Sequence, residues 1–358
     1  MNPLSNEGGI YTAQIKVMIA MSGGVDSSAA ACLMQRAGFT CIGATLRLHD
    51  PLDSANDARA VAEKLNMPFH HLDATEEFRE LVMRHFVRSY EAGLTPNPCV
   101  ECNRHLKFGL LLEKALEMDC QYIVTGHYCR IRQGENGRFL LYKASDSAKD
   151  QSYFLYSLTQ HQLSHTLFPL ADLSKEQVRA IAQEQGLLNA RKRDSQDICF
   201  IPDGDYFRFI QEFTQKNYPA GNFLDAEGNI VGQHHNAAAY TRGQRKGLGL
   251  AMGQPVYVLS KDMANNTVTV GENEKLFSTT LRANDWNFIP FDSLTTPLRV
   301  MAKARSRMAE QPATIYPEEN GFARVVFDVP QRAITTGQAV VLYDGDLVIG
   351  GGTITEVL

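Results

Sequence analysis

The pattern of apolar and polar positions divides the chain near Pro219. Before that point, short apolar runs alternate with amphipathic stretches. Ile15 to Met21 is a mostly apolar run, which predicts a buried strand. A Gly-rich turn follows, then a helix from about Ser27 to Ala37 that stops at Gly38. Cys41 to Leu46 predicts a second strand, Asp57 to Leu65 a helix ending near Pro68, and Phe69 to Leu72 a third strand. The amphipathic stretch Glu76 to Glu91 leads into the Pro-broken segment Thr95-Pro96-Asn97-Pro98, expected to be rigid and extended. Phe108 to Met118 predicts a helix and Tyr122 to Thr125 a strand. This β-α-β-α order predicts an α/β domain with a mostly parallel sheet and helices on both faces. Ligands in such sheets bind outside the carboxyl ends of the strands, where the loop Ser22 to Asp26 falls.

The pattern from Gln160 to Gln215 is expected to be helical, with a start signal at Ser174 and a stop at Gly186. Beyond Pro219 the period shortens to that of strands. Phe223 to Val231 predicts a hairpin around Glu227-Gly228, and Val256 to Leu259 with Thr267 to Val270 predicts another around Asn265-Asn266. Arg324 to Phe327 alternates, and Val340 to Tyr343 with Leu347 to Ile349 flanks Asp344-Gly345. The expected organisation is an α/β domain over 1–215, a small β-rich central domain over 216–280 and a C-terminal β-barrel over 281–358.

Composition narrows the class. The chain has 358 residues, 44% hydrophobic and 21% charged, the balance of a globular protein. No apolar run approaches the ~18 residues of a membrane span, and Met1 to Ile10 lacks the basic and apolar parts of a secretion signal. A cytoplasmic protein with no membrane partner is expected. The net charge of -5 excludes a wholly basic nucleic-acid binder but allows local basic surfaces. Arg191-Lys192-Arg193, the group Arg242, Arg245 and Lys246, and the row Lys303, Arg305, Arg307 are such candidates, each taken singly a solvated face. Seven cysteines without a secretion signal argue against a disulfide scaffold.

The string Ser22-Gly23-Gly24-Val25-Asp26-Ser27-Ser28 joins a predicted strand to a predicted helix. Its glycines let the backbone approach an anion, and the helix N-terminus favours negative charge. Asp26 beside a phosphate calls for an intervening cation, which implies Mg²⁺. The chain has no Walker-type lysine pattern. Gly-Gly turns are common, but the whole string resembles the PP-loop of ATP pyrophosphatases. That likeness implies ATP as substrate, adenylation of a carbonyl-type oxygen and release of pyrophosphate, and leaves the nucleophile open.

Cys99 and Cys102 form a CxxC after the proline segment, and Cys199 lies far away in Asp194-Ser195-Gln196-Asp197-Ile198-Cys199-Phe200. A CxxC alone suits half a zinc site, though no second pair completes one here. Cys199 between Ile198 and Phe200 suits core packing. Sulfur chemistry would require a thiolate, for which Arg104 or a helix N-terminus could lower a thiol pKa. Cys32, Cys41, Cys120 and Cys129 lie in strand or helix patterns and are expected to be structural. An amide synthetase with a nitrogen nucleophile would leave Cys99, Cys102 and Cys199 unused.

The order and number of several strings carry a resemblance over nearly the whole chain. They are MSGGVDSS (21–28), GLTPNPCVECNRHLKF (93–108), VTGHY (124–128), KDQSYFLY (149–156), LFPL (167–170), DSQDICFI (194–201), RGQRKGLG (242–249), PQRAIT (330–335) and GQAVVLYDGDLVIGGGTI (337–354). With them the chain resembles the bacterial tRNA-specific 2-thiouridylases of the MnmA type. The resemblance implies a PP-loop domain of the adenine nucleotide alpha hydrolase kind, a small central domain and a C-terminal β-barrel. It also implies ATP-dependent 2-thiolation of the wobble uridine of tRNA, with sulfur from a persulfide donor protein. By matched position, Cys199 would receive the persulfide and Cys102 would be the partner nucleophile that ends disulfide-linked to it. Ala20, Met21, Ser22, Gly23, Gly24, Val25, Asp26 and Ser27 match the phosphate loop, Leu46 an adenine contact and Gly126 an ATP contact. Asn97, Pro98 and Cys99 match the segment that touches the target base. His127, Lys149, Asp150, Gln151, Arg305, Ser306 and Gln338 match tRNA contacts.

Three departures stand out. Some relatives carry Asp at the position of Cys99, so that residue's role in activation does not carry over in the same form. The three cysteines could instead hold an iron–sulfur cluster, as in related thiolases. Residues 48–57 are shorter than the acidic insert of many relatives, and Arg242 replaces a small or apolar residue.

Overall fold

The structure is a computed structural model that describes residues 15–49, 53–187 and 198–358. The chain opens with β1 (Lys16–Ala20), α1 (Val25–Arg36), β2 (Thr40–Arg47), α2 (Asp53–Lys64) and β3 (Phe69–Asp73). A long helical stretch follows as α3 (Thr75–Phe78), a π-helical turn (Arg79–Arg84) and α4 (His85–Glu91). A second combines α5 (Pro98–Glu101), a π-helical segment (Cys102–Leu110) and α6 (Leu111–Glu117), and leads into β4 (Tyr122–Val124). The strand order β3-β2-β1-β4 continues to a short fifth strand, Thr166–Leu167. All neighbours are parallel.

The pleat of β1 explains the two layers of helices. Val17 and Ile19 face a cluster with Ala29, Ala30, Ala31 and Met34 of α1. Met18 faces the opposite cluster with Phe108, Leu111 and Ala115. Side chains alternate across a strand, so each face needs its own cover. The row of alanines lets α1 lie close to the sheet. The chain leaves β1 for β2 on one side and returns to β4 on the other. That makes the β1–β4 boundary the topological switch point, where α/β sheets bind ligands.

Three expectations change. The helix expected from Phe108 starts ten residues earlier, at Pro98. Proline is suited to the first helical position because its missing N–H would have no partner there. The expected helical region Gln160 to Gln215 is instead α7 (Gln160–Ser164), β7 (Thr166–Leu167), α8 (Lys175–Glu184) and α9 (Tyr206–Thr214). Pro169 interrupts the chain between β7 and α8. Ser174 does cap α8, in a capping box with Gln177, and Gly186 ends it with φ +62°. The basic group Arg191-Lys192-Arg193 and residues Asp194 to Asp197 lie outside the described residues.

The third change is a hairpin the apolar pattern did not reveal. It consists of β5 (Cys129–Gln133) and β6 (Phe139–Lys143), turning at Asn136-Gly137 with Gly137 at φ +81°.

The second domain is a four-stranded sheet of β8 (Gly221–Leu224), β9 (Ile230–His234), β10 (Tyr257–Asp262) and β11 (Thr267–Gly271), in the order β10-β11-β8-β9. It packs around Phe223, Tyr240, Val258 and Val268.

The C-terminal domain comprises β12 (Phe277–Phe288), β13 (Leu298–Lys303), β14 (Gln311–Pro317), β15 (Ala323–Arg332), β16 (Ala339–Asp344) and β17 (Leu347–Val357). Pairing of β12 with both β15 and β17 closes these antiparallel strands into a barrel. The hairpin β5–β6 extends the same sheet through Tyr142 opposite Leu347. Arg138 of that hairpin pairs with Asp292 and donates to the Ile289 carbonyl, so the first and last domains interlock.

Candidate active site

The loop after β1 turns at Gly23, whose φ is +70°, and α1 begins at the N-cap Gly24 with no side-chain cap. Gly24 carries no group of its own to fill the helix mouth. Ser27 Oγ and Ser28 Oγ both donate to the Gly24 carbonyl, at 3.1 and 2.9 Å. Ser27 Oγ also accepts from the Ser22 amide at 3.3 Å. These bonds fold Ser22 to Ser28 back on itself and leave a positive helix mouth facing the switch point.

Gly126, after β4, closes the other side. A Cβ there would lie 2.7 Å from the Ser27 nitrogen and 2.8 Å from the Asp26 carbonyl carbon. Backbone cannot yield as a side chain can, so only glycine fits. Between the two loops is a cavity of about 220 Å³. Ala20, Met21, Ser22, Asp26, Ser27, Leu46 and Gly126, expected at an ATP site from the sequence, line it together with His127 and Gln151, which were expected to contact tRNA. Gly23, Gly24 and Val25 build its turn. The lining also includes Lys107, Leu111 and Thr125, which the sequence had not singled out. The lining combines apolar Leu46, Leu48 and Leu111 with the loop at the helix mouth, a mix that suits a flat base joined to phosphates.

Asp26 is held on both carboxylate oxygens. Lys175 Nζ donates to Oδ1 and Oδ2 at 2.7 and 2.8 Å, and Tyr128 OH donates to Oδ1 at 2.8 Å. The buried ammonium of Lys175 therefore balances the Asp26 charge in this structure. Among the described residues no three His, Cys, Asp or Glu side chains gather into a metal site. A Mg²⁺ that keeps waters and phosphate oxygens as its other ligands would need only Asp26 from the protein. Tyr128 ends the string VTGHY and Lys175 follows the cap of α8, signals that were present but unread.

Cys99 and Cys102 lie one turn apart at the start of the long helix, not on the extended segment, with Asn97 as N-cap and Pro98 at its first turn. Cys102 is buried, while Cys99 and Cys199 are exposed, and all three are free thiols. Cys102 packs in one cluster with Phe200 and Ile201, which brings the distant Cys199 strand of sequence beside the CxxC. Desolvation by the surrounding protein pushes all three thiols up, Cys199 to about 11, even though Cys99 and Cys199 keep exposed surface, and the neighbouring cysteines add to the rise at Cys199. The charge that opposes this rise is Lys107 at each of the three. Arg104, a candidate from the sequence, is engaged elsewhere: its guanidinium holds Asp285 of β12 at 2.6 and 3.3 Å. Cys32, Cys41, Cys120 and Cys129 are buried, as expected of packing residues.

His127 shares a proton with Thr125 Oγ1 through Nδ1 at 2.8 Å, and burial lowers its pKa well below the ordinary imidazole value. It is a neutral ring packed against Phe108 and Phe168. Asp150 caps its own loop, accepting from the amides of Ala144 and Ser152 and from Ser152 Oγ. Gln151 Oε1 accepts from the Tyr128 amide at 3.0 Å. Lys149 and Ser306 are half-buried. Arg305 donates to the carbonyls of Arg242 and Ala333, so it joins the central domain to the barrel. Gln338 Nε2 donates to the carbonyls of Thr95 and Pro96 at 2.8 and 3.2 Å. Each of these last two residues has a structural task inside the fold.

An α/β domain with a phosphate-type loop at its switch point, followed by two β domains, defines an enzyme of the HUP class. The family described as "tRNA methyl transferase HUP domain" matches residues 15–203. Those described as "tRNA methyl transferase PRC-barrel domain" and "Aminomethyltransferase beta-barrel domain" match 208–272 and 278–354. The chain is 49% identical over 354 residues to the tRNA-specific 2-thiouridylase MnmA of Acetivibrio thermocellus, covering 95% of this chain and 99% of that one. It is 46% identical to the Clostridioides difficile protein of the same name, over 96% and 99% of the two chains. The chain belongs to the tRNA-specific 2-thiouridylase family. Among solved structures, a 4-thiouridine synthetase–RNA complex with bound ATP aligns at TM-score 0.35 and 13% identity, over 56% of this chain and 50% of that one.

Proposed function

We propose that this enzyme uses ATP to exchange O2 of the wobble uridine of tRNA for sulfur. The observation that carries the reading is the meeting of two parts in one place. A nucleotide-shaped cavity and three thiols are joined by a single helical run, which contributes Cys99 and Cys102 at its start and Lys107 and Leu111 to the cavity wall.

In this reading ATP lies with its phosphates at Ser22 to Ser27 and its base toward Leu46. Uridine O2 attacks the α-phosphorus, an O–P bond forms and pyrophosphate leaves. A persulfide on Cys199, loaded by a donor protein, then attacks C2 through its outer sulfur, and AMP leaves with the C–O electron pair. The Cys102 thiolate attacks Cys199 Sγ. The bond to the transferred sulfur breaks, 2-thiouridine is released, and a Cys102–Cys199 disulfide remains for an external thiol to reduce.

Asn97, Pro98 and Cys99 would border the target base. His127, Lys149, Asp150, Gln151, Arg305, Ser306 and Gln338 would border the tRNA directly or through the loops they hold. No helix of the described residues is long and apolar enough to cross a membrane, and the reaction is assigned to the cytoplasm, where tRNA resides.

The test is Cys199→Ala. With tRNA and ATP it should still bind ATP and release pyrophosphate, yet form no 2-thiouridine. Thiolation by that variant would remove Cys199 from the mechanism.

A further inference from the structure

Lys107 lies on the π-helical segment Cys102–Leu110, in which Leu111 N bonds the Leu106 carbonyl. Bonding five residues apart widens the turn and carries the residue five positions after Cys102 round toward the face Cys102 occupies. Such segments concentrate at functional sites. Lys107 and Leu111, four residues apart on one helical face, both line the cavity. On an ordinary α-helix of 3.6 residues per turn, positions five apart would diverge by roughly 140°.

Lys107 is the one Lys or Arg among the residues lining the nucleotide cavity. Among the described residues it makes no ion pair or hydrogen bond, whereas Lys175 is neutralised by Asp26. Its charge reaches Cys99, Cys102 and Cys199, and also the buried ring of His127. Without a partner among the described residues, this cation faces both the cavity and the sulfur cluster.

We propose that Lys107 is a catalytic residue whose ammonium binds the α-phosphate oxygens of the adenylated uridine and, from the same position, stabilises the sulfur anions. The proposal rests on the sulfur-transfer reading above. In the first sulfur step, the outer persulfide sulfur forms a bond to C2 while AMP departs with two negative charges. In the second, the Cys102 thiolate displaces the thiouridine sulfur from Cys199. Both steps gather negative charge at a site where burial disfavours it, and a preorganised cation is most effective in such surroundings.

The experiment compares wild type, Lys107→Met and Lys107→Arg as full-length chains with matched melting curves. Three quantities are read: tRNA-dependent pyrophosphate release, single-turnover 2-thiouridine formation, and the pH profile of Cys199 alkylation followed by peptide mass. Lys107→Met should slow thiolation by ~10²-fold, the usual cost of one such group. It should also move the Cys199 profile to higher pH. Lys107→Arg, which keeps the charge, should restore the profile. Wild-type thiolation by Lys107→Met, or an unmoved profile, would overturn the proposal. A moved profile in a protein whose wild type thiolates no tRNA would overturn the sulfur-transfer reading and leave the charge coupling standing.

Discussion

At the residue scale, the site depends on a few positions with no substitute. Gly126 faces backbone at 2.7 Å, so Gly126→Ala must push the Ser27 turn out of place. The expected result is a loss of ATP affinity of at least ~10-fold, equivalent to about 1.4 kcal/mol, measured by calorimetric titration. Unchanged affinity would show that the loop is not the nucleotide site. Cys199, pushed up to about 11, is a neutral thiol near pH 7. Its alkylation rate should therefore rise with pH until about 11 and level off above it. A plateau near pH 8.5, the ordinary thiol value, would contradict the desolvation assigned to its sulfur. The phosphate loop was legible because glycines, serines and an aspartate at a strand–helix junction have few other uses. Lys107 was not, because a lysine in an amphipathic helix reads as a solvated face. Lys175 and Tyr128 were missed for a related reason: their contact with Asp26 spans 149 and 102 positions of sequence.

At the scale of elements, the helical run from Pro98 to Glu117 couples the two halves of the chemistry. The proline segment before it looked extended throughout, and the structure shows where that reading stops. Pro96 lies before the helix, while Pro98 starts it. The loop of the barrel between β15 and β16 holds this junction in place. Thr95 N donates to the Thr336 carbonyl at 2.9 Å, and Gln338 bonds the next two carbonyls. A Cβ on Gly337 would meet Thr95 N at 2.8 Å. Gln338→Ala should therefore cost about 1–2 kcal/mol of unfolding free energy and make Cys99 alkylate faster, since the helix start loosens. An unchanged Cys99 rate would separate Gln338 from the positioning of the CxxC. The hairpin β5–β6 was legible only in its Asn136-Gly137 turn. Its strands are short and mixed, and they are stabilised by the barrel rather than by their own pattern.

At the scale of the whole molecule, the order of α/β domain, small β domain and barrel followed from the change of period near Pro219. The interlock did not, because the partners that make it are far apart in sequence. Lys261 illustrates the junction between the domains. Among the described residues its ammonium has no hydrogen-bond partner, and it lies 5.8 Å from the Tyr90 ring centroid in the first domain. Burial lowers its pKa to about 8. A lysine with a depressed folded pKa is protonated at a cost below that value. Stability should rise as pH climbs from about 8 toward the ordinary 10.4. Lys261→Met should raise the melting temperature near pH 7 and gain little above about pH 10; equal gains at both would contradict the assignment. The central claim is that the loop at Ser22 to Ser28 activates O2 of a uridine whose oxygen is then displaced by sulfur. The direct measurement uses tRNA carrying oxygen-18 at O2 of the wobble uridine, with mass analysis of the nucleotide products. The account predicts pyrophosphate without label and AMP that has gained one labelled oxygen for each 2-thiouridine formed. Unlabelled AMP, or ADP and phosphate in its place, alongside 2-thiouridine would contradict it.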